Sequence, residues 1–188
     1  MTVAGDTVTF SSTNANDPLI IIKNTTNDAD GARLRFVKDK GAAGADGDDI
    51  GIIEFVGDDA AQAQTTFAKI VAEVSEADNT DEAGKLSLFV AESDGTTTAL
   101  TAGLILEGEH ATDGQVDATI GAGSASTTTV AGDLSVTSKL IMNDVTAGKI
   151  LVGDNTSYEE VAVSGDATLA SNGAVTLAGA QTNITSII

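Results

Sequence analysis

The most regular hydrophobic pattern of the chain lies between residues 48 and 90. From Ile50 the sequence reads IGIIEFVGDDAAQAQTTFAKIVAEVSEADNTDEAGKLSLFV, in which three apolar runs are separated by acidic and glycine-bearing breaks. Residues 50–56 and 85–91 are rich in β-branched and aromatic side chains, a pattern typical of strands. The stretch also holds three of the five phenylalanines, Phe55, Phe67 and Phe89. We therefore expect the packed part of the protein to be organised around it.

The middle run, residues 67–74, fits two structures. Phe67, Ile70, Val71 and Val74 follow helical spacing, and an amphipathic helix over residues 60–77 is the alternative. Read as a strand, the even-numbered residues Ala68 to Val74 alternate with more mixed odd-numbered ones. We favour a strand, because both neighbouring runs are strand-like and residues 76–84 suit a hairpin connection.

The segment before this stretch predicts a hairpin. Residues 19–22 form a short apolar run entered through Pro18, which suits the start of a strand. Residues 27–31 carry turn chemistry, and residues 33–38 alternate again. A loop of Gly, Ala and Asp over residues 41–49 leads into the central stretch, and strands over residues 96–101 and 103–107 follow it.

From residue 112 onward the chain has few bulky side chains and many Gly-Asp and Asn-Gly turn signals. Short strands are predicted at residues 149–152, 160–163 and 174–177. The sequence TVAGD occurs at residues 2–6 and again at 129–133, each copy before a short Thr/Val/Ser strand, which indicates a structural repeat. Such strands cannot bury themselves alone, whereas three chains around one axis can enclose a narrow core of Ala and Val.

Composition supports association and restricts the partners. The chain is 41% hydrophobic but 3% aromatic, so a single copy would bury little apolar surface per residue. The formal charge of -19 disfavours nucleic acid and anionic membrane surfaces, because both require a basic footprint. No apolar run is long enough to span a membrane. The absence of cysteine excludes disulfides and thiolate metal sites.

Candidate chemistry is sparse, and we expect no enzyme and no cofactor. The single histidine, His110, stands without cysteine ligands and without a nucleophile motif. Carboxylate pairs are frequent, but the chain has no Trp and one Tyr to line a sugar-binding cleft. Two acidic turns supply hard oxygen ligands of the type that Ca²⁺ prefers, although neither completes an EF-hand. The calcium candidates are Asp28, Asp30, Asp46 and Asp48.

The chain resembles the tail fibre proteins of tailed bacteriophages, especially those that infect marine bacteria and cyanobacteria. The resemblance rests on residues 48–58, 67–70 and 82–90, and on the later repeats GKILVGD, SGDATL, NGAVTL and TNIT. It implies an all-β, elongated homotrimer on the virion, made in the host cytoplasm. Its expected partners are other copies of the chain, other tail or fibre proteins and, indirectly, a host surface receptor.

We therefore predict an all-β fold in which a β-sandwich-like module is inserted in a thin β-helical or β-spiral shaft. The predicted divisions are a shaft strand at residues 1–13, the β-rich module at 14–110 and the repetitive shaft at 111–188. The predicted function is a structural fibre segment that links the virion to the receptor-binding end. A polysaccharide-degrading tailspike and a bacterial surface filament or adhesin are the alternatives, and the latter would need an export signal that the first ten residues lack.

Overall fold

The computed structural model describes residues 7–110, 114–142, 146–153, 155, 158–165 and 167–177. Within these residues the regular structure consists of antiparallel β-strands, with no helix, so the predicted all-β class is confirmed. The chain divides into two compact units, Met1–Thr129 and Val130–Ile188, and each is described by itself.

The first unit contains one five-stranded sheet in which every strand pairs with its neighbour in sequence. Residues 67–74 lie within the second strand, so the strand prediction is confirmed and the helical alternative is wrong. The last strand follows residue 110 in the sequence and pairs with the fourth. The strands are β1 Asp49–Asp58, β2 Gln64–Glu76, β3 Ala83–Ser93, β4 Thr98–Gly108 and β5 Val116–Ile120.

Short side chains close the turns of this sheet. Between β1 and β2, Asp59 Oδ1 accepts hydrogen bonds from the backbone N–H groups of Ala61 and Ala63 at 2.8 and 2.9 Å. Between β3 and β4, Asp94 Oδ1 accepts from Thr96 and Thr97, each at 2.8 Å. Both are Asx-type turns, which explains why these acidic breaks separate strands.

β4 joins two segments that the sequence separates. Residues 96–101 and 103–107 were predicted as distinct strands, but β4 runs through both. The pairing with β3 shifts by one residue, since Leu88 faces Leu104 whereas Phe89 faces Ala102. The shift leaves Gly103 as the extra residue of a bulge, an arrangement that keeps the strand continuous.

The hairpin predicted for residues 19–38 is wrong. Residues 7–48 contain no strand, and the apolar side chains of residues 19–22 are exposed. Asn24 instead donates its side-chain amide to the carbonyl oxygen of Asp30 at 2.8 Å. A short apolar run becomes a strand only where another backbone pairs with it, and these residues have no such partner in the described chain.

The second unit contains two small hairpins. The first pairs β6 Lys149–Gly153 with β7 Tyr158–Ala162, and the second pairs β8 Ala167–Leu169 with β9 Val175–Leu177. Predicted strands at residues 149–152, 160–163 and 174–177 are thus confirmed within a few residues.

The internal repeat has a different outcome. Residues 134–142, which follow the second TVAGD copy, form no strand, so that prediction is wrong. The first copy, at residues 2–6, lies outside the described residues. So do the turn residues Asp154 and Asp166 and the TNIT segment at residues 182–185.

Little of the chain is buried. Val71 is the only buried apolar side chain among the described residues, at 4% exposure. The sheet is therefore well paired through its backbone but lacks the side-chain core of an ordinary domain.

Candidate functional site

The two faces of the five-stranded sheet differ in chemistry. Side chains alternate between the faces of a strand, so residues paired across strands share a face. One cross-strand row is aliphatic in all five strands, and the next row on the same face combines small and aliphatic residues. The first row is Ile53, Ile70, Leu88, Leu104 and Ile120; the second is Gly51, Ala72, Leu86, Leu106 and Ala118.

Further rows on either side complete this surface, which we call the apolar face. Its charged residue is Glu92 at the edge of β3, which accepts a hydrogen bond from the Thr101 hydroxyl at 3.4 Å. Besides the two rows above, the face includes Phe55, Ala68, Val90 and Thr101 at one end, and Val74, Gly84, Gly108 and Val116 at the other. A mainly aliphatic surface across five strands is typical of a sheet face that is packed against another layer.

No described layer encloses the apolar face. Leu88, near its centre, is 37% exposed. Phe36 touches one corner, where a Cβ on Gly51 would lie 2.8 Å from the Cβ of Phe36. A shallow depression of about 330 Å³ also lies on this face, with Leu86 and Leu106 in its lining. Covering the aliphatic row would contribute roughly 1.5 to 3 kcal/mol for each fully enclosed Leu or Ile side chain.

The opposite face, which we call the polar face, carries charges in register. One of its rows is Asp49, Glu73, Lys85, Glu107 and Asp117, in strand order. Lys85 Nζ lies 3.2 Å from Glu73 Oε1, and Ser75 donates its hydroxyl to Glu107. Lys85 lies between two carboxylates in this row, whereas Asp49 and Asp117 each face another carboxylate, and this concentration of charge suits the face to water.

A second feature of the polar face is its shielded centre. Val71 and Ser87 are register partners, and both are buried. On the adjacent row the ammonium of Lys69 lies 4.7 Å from the centre of the Phe89 ring, a cation–π contact. The polar face therefore has buried residues at its centre within the single chain, next to a row that carries a cation–π contact.

The first pair of calcium candidates lies in residues 7–48. Asp28 Oδ1 accepts a hydrogen bond from the backbone N–H of Asp30 at 3.1 Å, and Asp30 lies 3.9 Å from Arg33. The Asp28 bond is a local turn contact, and the guanidinium neutralises part of the charge that a cation would use.

The second pair of candidates lies beside the start of β1. Asp46 Oδ1 accepts from Ala77 N at 2.9 Å, and Asp48 Oδ2 accepts from Lys40 Nζ and from Ala45 N. The bonds from Lys40 and Ala45 hold the pKa of Asp48 below its usual range, and the bond from Lys40 is the largest cause. Among the described residues no group of three or more acidic, His or Cys side chains could hold a metal ion.

His110 lies at the end of β4, beside two carboxylates. Its Nδ1 is 3.4 Å from Asp81 Oδ2 and 3.8 Å from Glu76 Oε2. A depression of about 460 Å³ beside it is also lined by Ser75, whose hydroxyl is donated to Glu107. The contacts of His110 therefore connect the end of β4 to the residues between β2 and β3.

The apolar face itself was not predicted from the sequence. Alternation in β2 and β3 shows that each strand has an apolar side, but it does not show which residues of different strands are neighbours. The available signal was the match between the alternating runs at residues 68–74 and 84–90. It becomes a surface only after the register is known.

Comparisons with protein-family models, with curated proteins and with solved structures found no match to this chain. Among the residues that the structure describes, no helix has the length and apolar character needed to cross a membrane.

Proposed function

We propose that the chain is a structural component of a bacteriophage tail fibre, a homotrimeric segment that links the virion to the host-receptor-binding end. The observation that carries the proposal is the exposed, mainly aliphatic face of the five-stranded sheet. A sheet with one charged face and one apolar face requires a second layer, and the described chain does not supply one.

Three copies around a common axis would supply that layer. In this arrangement the module is completed between chains in a sandwich-like manner, rather than within one chain. The short hairpins of the second unit would belong to the thin β-helical or β-spiral shaft. Their strands have three to five residues each, too few for independent stability in water.

The charge distribution supports a structural role rather than an enzymatic one. Acidic residues occupy the polar face and the turns, where the net charge of -19 would keep assembled fibres soluble and apart. The proposed partners are copies of the chain and other tail or fibre proteins at its ends. The contact with a host receptor is indirect, and the proposed location is the virion after synthesis in the host cytoplasm.

Light scattering on the purified chain tests the assembly. A trimer is expected at about three times the 18.8 kDa chain mass, and a monomer over a wide range of concentrations would contradict the proposal.

Antibodies against the purified chain test its location. They should label tail fibres on particles by electron microscopy, and labelling of bacterial surface filaments instead would favour the adhesin alternative. Incubation with host polysaccharide provides a third measurement, since the release of reducing ends would indicate a tailspike enzyme.

A further inference from the structure

We infer that the apolar face is the surface through which copies of this chain meet, with the aliphatic row of Ile53, Leu88 and Leu104 facing its equivalents. The inference rests on the proposed function for the presence of several copies. It adds the row of side chains through which the copies make contact.

Charge identifies a copy of the chain as the occupant. Each copy carries a net charge of -19, so two copies repel one another wherever their acidic surfaces approach. The apolar face carries one carboxylate, Glu92 at its edge, whereas the polar face carries four in the row from Asp49 to Asp117. Contact through the apolar faces is the arrangement that places these four carboxylates outward, away from those of the other copies.

The size of the face also fits. Five strands spaced about 4.8 Å apart span roughly 24 Å, and the seven residues from Ala68 to Val74 extend over about 23 Å. The flat projection is therefore about 550 Å², and the accessible surface of protruding side chains is larger. Specific interfaces bury about 800 Å² per partner, so the whole face is of the order that stable association requires.

The arrangement of large and small side chains on the apolar face allows two copies to approach closely. The bulky row lies directly beside a row in which Gly51, Ala72 and Ala118 contribute little or no side chain. Large side chains of one copy can enter the space over the small residues of another, at the separation of about 10 Å that is usual for packed sheets.

Two adjacent residues of β1 provide a matched test. Ile52 and Ile53 are the same residue type, are 42% and 39% exposed in the single chain, and lie on opposite faces. Because the chain contains no cysteine, Ile52→Cys and Ile53→Cys each introduce a unique thiol. In the assembled protein we expect a bulky maleimide to react with the Ile53→Cys thiol at least about 10-fold more slowly. In denaturant the two rates should be equal.

Equal rates in the native assembly would overturn the inference. The mass of each variant is measured in the same samples, which separates the two proposals. A trimer with a reactive Ile53→Cys thiol overturns this inference and leaves the trimer intact, whereas a monomer overturns both. A dimer with a protected thiol supports the inference and overturns the trimeric fibre.

A second position controls for misfolding of the edge strand β1, which contains Ile53. Leu88→Cys places the thiol in β3, at the centre of the same face, and circular dichroism checks that each variant keeps its strands. Protection at both Ile53→Cys and Leu88→Cys in the purified protein supports contact between copies. Protection that appears only after a phage or host extract is added would overturn it, because the occupant would then be a different protein.

Discussion

The two faces of the five-stranded sheet protect their residues in different ways. On the polar face, Lys85 pairs with Glu73 across strands, and Val71 and Ser87 are buried within the single chain. On the apolar face the side chains are larger and mainly aliphatic, yet Leu88 remains 37% exposed. The comparison shows that the single chain buries two central residues on the polar face, whereas burial of the aliphatic residues on the apolar face requires a layer that the described residues do not supply.

The largest expected effect comes from placing a new charge on one face of the sheet or on the other. Ile53→Glu would place a carboxylate in the contact between copies, where an unpaired buried charge costs several kcal/mol. We expect at least about a 100-fold weaker association, measured by light scattering over a dilution series. The matched control, Ile52→Glu, alters the polar face and should retain the assembly; equal effects of the two variants would contradict the distinction.

The next effect concerns Phe36, which contacts a corner of the apolar face. In Gly51→Ala the new Cβ would lie 2.8 Å from the Cβ of Phe36, so Phe36 must move. We expect a loss of about 2 kcal/mol in the free energy of unfolding, in the range of overpacking substitutions. Urea unfolding measures it, and faster proteolysis of residues 36–48 would accompany it.

Gly103→Ala is the control for this substitution. Gly103 lies in β4, and a Cβ there would meet no atom within 4 Å. Its unfolding free energy should change far less than that of Gly51→Ala. Similar losses in the two variants would show that the Phe36 contact contributes nothing measurable.

A smaller effect tests the charge pairing of the polar face. Lys85→Met removes the cation that lies between Glu73 on β2 and Glu107 on β4, and leaves the two carboxylates without a positive charge between them. We expect about 1 kcal/mol of destabilisation at low salt and less at 1 M salt, because ions screen the repulsion. Lys69→Met, which removes the contact with the Phe89 ring, should cost about 0.5 kcal/mol. A larger loss for Lys69→Met would reverse our ranking of the two contacts.

The smallest expected effect lies in the turn between β3 and β4. Hydrogen bonds from the backbone of Thr97 and Thr96 hold the pKa of Asp94 below its usual value of 3.8. The folded protein then binds this proton less readily than the unfolded chain, so the stabilisation is present above about pH 4 and is lost as the pH falls through the lowered pKa. The difference in urea midpoint between the native chain and Asp94→Asn should therefore narrow toward low pH, and a difference that widens would contradict this account.

Local patterns predicted the strands that have strong neighbours. Residues 67–74 were ambiguous by themselves, and the strand-like runs on either side decided correctly in favour of β2. The run at residues 19–22 has an equally strong strand composition but forms no strand. The difference is the availability of a pairing partner, which is a nonlocal property that composition does not encode.

The candidate site was harder to predict from the sequence than the fold. The acidic turns suggested calcium, but the structure shows Asp48 bonded to Lys40 and Asp46 bonded to Ala77. The sequence neighbourhood of Asp48 contains no sign of the first contact, because Lys40 lies eight residues away across a loop. The apolar face likewise draws its central row from five strands between residues 53 and 120.

The sequence by itself determined the all-β class, the positions of β1 to β3 and the acidic character of the surface, because each depends on composition or on alternation over a few residues. The tertiary structure decided the rest. The strand register aligned five aliphatic side chains in one row and placed the charged row on the opposite face. Register is set by pairing between distant segments, and a shift of one residue would have exchanged the two faces.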